Sequence, residues 1–319
     1  MRPVLAAVAT STALACAAAV AACGFGAGPA STGTATLTVT RDYGSGTLLE
    51  ARDENPPESE TVIRFLDNEA DITTRYGGGF VQSIDGISGT GTGGTSDWFF
   101  YVNGVESPVG SADVRVKGGD RIWWDYRNWT AAMSVPKVVG SWPEPFAQSS
   151  VEAPKPVRVV CLGVHSACEL TADRLVGAGV EARVEDAPVS GANPGSAMRL
   201  LVGPWTRVRT DTAVDELRDS PQRTGVFATF KGPTRSGWQL IGLDVSAHPA
   251  RDFGSGGGLV AALGGADEPP TWIVTGSGST AVRRAADALD IRSLRNRYAV
   301  AATRHGAVPL PIVRRGEGR

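Results

Sequence analysis

The chain has 319 residues and a formal net charge of −2 at neutral pH; 42% of its residues are hydrophobic and 20% are charged. That length allows about two domains, and the composition suffices for real hydrophobic cores. The near-neutral balance gives no argument for nucleic acid, and none is expected as a partner.

The first element is at the N-terminus. Met1-Arg2 carries positive charge, and an apolar, alanine-rich run follows from Val4 to Ala22, broken only by Thr10, Ser11 and Thr12. A charged start, an apolar stretch and then small residues is the layout of a secretory signal. The run ends in Val20-Ala21-Ala22-Cys23-Gly24, which resembles the lipobox of bacterial lipoproteins. That resemblance implies cleavage after residue 22, lipid on the Cys23 thiol, and a place on the outer face of the cytoplasmic membrane, in the cell envelope. Residues 23–34, mostly Gly, Ala, Ser and Thr, read as a flexible tether. The alternative is an uncleaved transmembrane anchor, which also leaves the rest of the chain outside. No second long apolar run follows.

Residues 35–129 form the first domain. Leu37 and Val39 alternate with threonines, as in a half-buried strand, and Thr47–Ala51 gives a second strand. Asn55-Pro56-Pro57 breaks it, and Thr61–Leu66 reads as a short amphipathic helix capped by Ser59. Strand signals follow at Asp71–Tyr76, Phe80–Ile87, Trp98–Val102, Ala112–Val116 and Arg121–Tyr126, with turns at Asn103-Gly104 and Lys117–Asp120. Two strands, one helix and a run of strands make an α+β pattern of β-grasp type. Trp98 and Phe100 face one side of their strand, Phe99 and Tyr101 the other; Trp123 and Asp125 oppose Trp124 and Tyr126. Two readings of these aromatics stand: cover by neighbouring segments, or a docking surface for a flat ligand or partner.

Leu37 to Tyr126 resembles the C-terminal domain of transcobalamin and intrinsic factor, including its stand-alone bacterial relatives. The residues that carry the resemblance are the turn Ile84-Asp85-Gly86-Ile87, the aromatic strand and hairpin Trp98 through Gly104, and Gly119-Asp120 through Tyr126. It implies a domain that closes over one face of cobalamin or a related corrinoid. Trp98, Phe100, Tyr101, Asn103, Trp124 and Tyr126 are then the contact candidates. In the carriers a helical barrel holds the other face, so a helical-barrel partner or a vitamin transporter is the implied protein partner.

Residues 130–156 carry five prolines and read as an extended connector. Residues 157–313 show strand, helix and strand three times, as Val157–Cys161, Ala167–Ala178 and Val180–Val184, then Arg199–Val202, Thr212–Arg218 and Gly225–Phe230, then Thr271–Val274, Thr280–Leu289 and Tyr298–Ala302. With Trp238–Asp244 as a further strand, tandem β-α-β units predict an α/β domain, ending in a tail at 314–319.

Of four cysteines, Cys16 leaves with the signal and Cys23 is lipidated. Cys161 and Cys168 remain, and in an oxidising compartment a disulfide is the default. His165 lies between them, which opens a metal cluster as the alternative, although the spacing matches no standard zinc pattern and a fourth ligand is missing. Thr275–Thr280 reads as a Gly-rich turn with Ser or Thr caps, and Gly254–Gly258 as a mobile loop. There is no G-x-S-x-G elbow or paired-carboxylate site, so the expectation is no enzyme, no metal and no resident cofactor. Two functions follow: a lipid-tethered binding protein, with corrinoid capture as its concrete form, or a structural envelope interaction module without a small ligand.

Overall fold

The computed structural model describes residues 29–313 except 92, 152–153, 187–197, 236 and 266. The expected signal peptide, the expected lipidation site Cys23 and the tail at 314–319 lie outside the described residues. From Pro29 onward the expected tether is bonded to the fold: Ser31 N–H donates to Pro56 C=O (2.9 Å), and the Glu58 N–H to Pro29 C=O (2.9 Å).

The first unit opens with the antiparallel pair β1 (Thr34–Arg41) and β2 (Gly46–Glu54). Then come α1 (Val62–Glu69), β3 (Ile72–Arg75), β4 (Phe80–Ile84), β5 (Ile87–Ser88), β6 (Ser96–Val102), β7 (Val105–Glu106) and β8 (Arg121–Asn128). The main sheet has the order β2-β1-β8-β6-β7, with β8 parallel to β1. The parallel central pair requires a crossover, and α1 and the small sheet β3-β4-β5 lie within it. This is the β-grasp arrangement that the element order predicts. α1 buries Val62, Phe65 and Leu66, and full burial of such side chains stabilises by about 1.5–3 kcal/mol each. Its cap is Thr61, whose hydroxyl accepts from Arg64 N–H, and not Ser59. The helix starts two residues later than the Ser59 signal implies, because an isolated bridge holds Thr61 against Arg115. That bridge is all that remains of the strand expected at Ala112–Val116. The strand expected over Phe80–Ile87 is broken by a turn in which Asp85 and Gly86 both take positive φ.

Asn103 (φ 54°) and Gly104 (φ 78°) make the left-handed pair of a tight hairpin between β6 and β7. Among its described residues the connector has neither helix nor strand. It is nevertheless anchored, because Val135, Val138, Val139, Trp142 and Phe146 are buried.

The second unit runs through β9 (Val157–Cys161), α2 (His165–Gly177), β10 (Ala182–Asp186), β11 (Arg199–Pro204), α3 (Trp205–Val208) and α4 (Asp215–Asp219). β12 (Ala228–Thr234), β13 (Gly237–Leu243), β14 (Pro249–Gly254) and β15 (Gly258–Leu263) follow. It closes with β16 (Thr271–Gly276), α5 (Ser279–Asp287), α6 (Ile291–Leu294), β17 (Ala299–Thr303) and β18 (Gly306–Leu310). The large sheet has the order β10-β9-β11-β16-β15-β17-β18. β9-α2-β10 is a parallel β-α-β unit. β16-α5-β17 is a split one, with β15 inserted antiparallel between its strands. The middle repeat is not such a unit: β12 leaves for a separate antiparallel sheet with β13 and β14. The segment Gly254–Gly258 is the tight return from β14 to β15, and α5 is capped by Gly278 without a side-chain bond. The expected Ser or Thr cap is absent there.

Three cores result. One lies between α1, the small sheet and one face of the first main sheet. The second joins the opposite face of that sheet, through Tyr43, Tyr101 and Trp123, to the connector and the second unit. The third packs α2 and α5 on the far face of the large sheet.

Candidate functional site

The side chains of β6 and β8 alternate as their strand periodicity dictates, and both faces are covered. Trp98, Phe100, Trp124 and Tyr126 belong to the core under α1. Trp98 packs on Tyr126 (5.3 Å between ring centroids), and Phe100 stacks on Trp124 (4.8 Å). Trp98 Nε1–H donates to Ile87 C=O and Tyr126 O–H to Ser88 C=O, so their polar tips tie the small sheet down. Tyr101 points the other way and is fully buried against Trp123 and Tyr298. Asn103 ties its hairpin to the start of β8, accepting from Arg121 N–H and donating to Asp120. The six contact candidates therefore divide between two buried faces and a turn, and do not form one surface. Tyr101 is inaccessible to a ligand because the second unit covers it, and Asn103 has its amide committed to the turn.

Cys161 and Cys168 form a disulfide, with 5.6 Å between Cα atoms. It ties the end of β9 to the first turns of α2. Among the described residues, one group of potential metal donors assembles: Cys161, His165 and Asp186. The disulfide removes the Cys161 thiolate from it, which leaves two exposed donors and answers the alternative reading of this segment.

A buried polar network joins the two units. The Asp125 carboxylate accepts from Thr40 O–H (2.6 Å), Gly44 N–H (3.0 Å) and Tyr298 O–H (2.9 Å). Burial pushes the Asp125 carboxyl up to about 6, against the opposing pull of those bonds and of the Arg127 charge. Burial and the Asp125 charge raise the Tyr298 hydroxyl well above the ordinary tyrosine value. Tyr101 O–H donates to Tyr298 at 3.4 Å, and Trp123 Nε1–H donates to Thr40. Arg127 lies flat over Phe99 (3.7 Å) and donates to the carbonyls of Ala132 and Met133 in the connector. Gly44 (φ 73°) is required here, since a Cβ would come within 1.9 Å of Asn296 C=O. Every polar group of this network but the Arg127 Nε is engaged, which suits a rigid joint and not a ligand site.

An open cleft lies beside that joint. Its volume is about 630 Å³, and its floor is the part of the first sheet that the second unit leaves uncovered. β1 presents Thr34, Thr36 and Thr38 there. Register places Thr36 between Arg52 of β2 and Arg121 of β8, and Thr38 between Glu50 and Trp123. The facing wall is α6 with Arg295 and Asn296, and the connector adds Ser141. Arg295 pairs with Glu50 at 2.5 Å. No hydrogen bond or ion pair ties the guanidinium of Arg52 or Arg121 to another described residue. Burial lowers the Arg121 pKa; Arg295 and Arg52 lower it further, and Glu144 opposes them. The Glu144 carboxylate is itself held by the N–H groups of Gln148 and Ser149 (both 2.9 Å). The cleft thus has three arginines, a row of hydroxyls and one carboxylate among its lining residues. None of the three arginines stands near another in the sequence, so no local motif marks them. The one legible trace is the threonine alternation of β1.

Comparison with known proteins adds little about ligands. Residues 59–128 match the family model described as a domain of unknown function, DUF4430. That span lies almost wholly inside the stretch that resembles the transcobalamin C-terminal domain. No curated protein matches the chain. Among solved structures, a "putative metal binding protein" from Ruminococcus gnavus aligns at 16% identity with a TM-score of 0.24, over 30% of this chain and 97% of that one. Among the described residues no helix is long and apolar enough to cross a membrane.

Proposed function

We propose that this chain is an exported binding protein, held by a lipid on Cys23 at the outer face of the cytoplasmic membrane, and that its ligand site is the arginine-lined cleft between the two units. The N-terminal sequence supports the export and the anchor. One observation carries the binding role: Arg52 and Arg121 line a cleft of about 630 Å³ with no ion-pair partner among the described residues, whereas the aromatic hairpin is taken up in packing. That volume falls within the range of small-ligand sites. The resemblance of Leu37 to Tyr126 makes corrinoids the reference ligands to try, with a helical-barrel protein or vitamin transporter as the partner to look for, whereas the arginine lining of the cleft favours an anion.

Two experiments test this reading. Cys23→Ser should abolish incorporation of labelled palmitate and release the protein from membranes; normal labelling and fractionation of that variant would refute the anchor. For binding, the form beginning at Gly24 keeps every described residue. Native mass spectrometry of that form, exposed to cobalamin, cobinamide and an envelope extract, should show a bound small molecule. Failure of any small molecule to bind would leave the structural envelope module as the better account.

A further inference from the structure

We infer that the cleft takes a small soluble ligand carrying two or more oxyanion charges, one group seated over Thr36 between Arg52 and Arg121 and a second facing Arg295. The inference rests on the cleft being the ligand site and goes further by naming the chemistry it selects.

The strand register makes the argument. Thr36 pairs with Arg52 on one side and with Arg121 on the other. Neighbouring strands are about 4.8 Å apart, so the two arginine Cα atoms stand roughly 10 Å apart with a hydroxyl midway. Both arginines share a register position with Thr36, so two guanidinium forks flank that hydroxyl and each can donate to one phosphate- or carboxylate-sized group placed between them. Besides burial, Arg52 and Arg295 both disfavour the charged form of Arg121, and Glu144 offsets part of that repulsion. The molecule as a whole carries −2, so the concentration of arginine in one concavity is local. An anion relieves that repulsion; a neutral or cationic ligand does not.

The second group follows from the other wall. Arg295 leans across the cleft to Glu50, the one carboxylate among the lining residues. A ligand with a single charge satisfies Arg52 and Arg121 only. One with a second oxyanion competes with Glu50 for Arg295 and spans floor to wall. The two walls and the limited volume favour a free molecule over the headgroup of a lipid held in a bilayer plane.

Pyrophosphate and citrate serve as probes, with thermal unfolding of the Gly24–Arg319 form as the readout, and chloride at equal ionic strength as control. Both probes should raise Tm saturably, and single-charged acetate should do so far less. The double variant Arg52→Gln/Arg121→Gln should lose affinity about tenfold or more, since charge-assisted bonds are the stronger kind. Glu50→Gln, which frees Arg295, should bind tighter than the parent, an outcome no purely structural role gives. If the double variant does not fold, Glu50→Gln decides alone. Equal response of parent and variants, or no shift beyond the chloride control, would overturn the inference. So would binding to phosphatidylglycerol vesicles with none to the free probes. If cobinamide or another ligand binds while the probes do not, the cleft's charge selectivity fails and the binding role itself stands.

Discussion

Tyr298→Phe is the sharpest probe of how the two units are joined. The change removes one oxygen. It leaves Asp125 Oδ2 without its donor and Tyr101 O–H without its acceptor, both in a fully buried site. Leaving a buried carboxylate short of a hydrogen bond costs about 1–3 kcal/mol, and the orphaned Tyr101 hydroxyl adds to it, so about 2–4 kcal/mol is expected near neutral pH. The cost has a pH signature. The Asp125 carboxyl is raised from 3.8 to about 6 by burial, so the folded protein holds this proton more tightly than the unfolded chain. The stabilisation from that protonation is complete below pH 3.8 and lost as pH rises through about 6. Tyr298 stabilises the ionised form, so its removal raises the folded value further. The deficit of the variant should therefore be largest at about pH 8 and smaller at about pH 5. Urea unfolding followed by tryptophan emission at both pH values measures it. A deficit below about 0.5 kcal/mol at both, or one larger in acid, would refute the idea that a charged Asp125 depends on Tyr298.

Three further outcomes are expected. Replacing Cys161 and Cys168 together with Ser should lower stability by about 2–3 kcal/mol, the loop-closure value for so short a ring; two thiols alkylated in the unreduced parent would contradict the bond. Tyr101→Ala should cost about 3–5 kcal/mol, as for other buried aromatics, in the same urea assay; little loss of stability there would mean that the ring is not part of the core. Asp211 accepts both guanidinium N–H groups of the buried Arg199 (2.8 Å each). Burial raises its carboxyl, but the Arg199 bonds and the Ala213 N–H outweigh that and hold it below the ordinary value. Its stabilisation is present above the unfolded carboxylate range and fades as pH falls through the lowered value. Asp211→Asn should cost about 2–4 kcal/mol near neutral pH, with the gap to the parent narrowing in acid; a gap independent of pH would show that the charge pair contributes little.

Much of the fold is written in local pattern. The alternation of Leu37 and Val39 with threonines, the Asn103-Gly104 turn and the β-grasp order all depend on neighbours in sequence, and the sequence shows them. The Cys161–Cys168 bond was legible from the expectation of an oxidising compartment and the short separation of the two cysteines. What was not legible depends on pairing at a distance. The strand signal at Ala112–Val116 has apolar residues, but the Thr61 bridge and the turn before β8 claim that backbone. β12 has strand character like its counterparts in the other repeats, yet it leaves for another sheet, and nothing within seven residues encodes that choice. The same limit hid the cleft. Arg52, Arg121 and Arg295 meet only because β1 pairs on both sides and α6 folds back over it. The aromatic cluster gave the opposite impression, since a dense run of Trp, Phe and Tyr reads alike whether it faces a ligand or a second unit.

The most direct test of the arginine cleft as the ligand site is side-chain spectroscopy of the arginine Nε–H groups. The protein beginning at Gly24 would carry isotope-labelled arginine and be titrated with pyrophosphate. The signals of Arg52, Arg121 and Arg295, assigned by single glutamine substitutions, should move together and saturate, while those of Arg127 and Arg199, buried outside the cleft, stay fixed. Movement of Arg127 or Arg199 in place of the cleft arginines, or no saturable movement at all, would contradict the assignment.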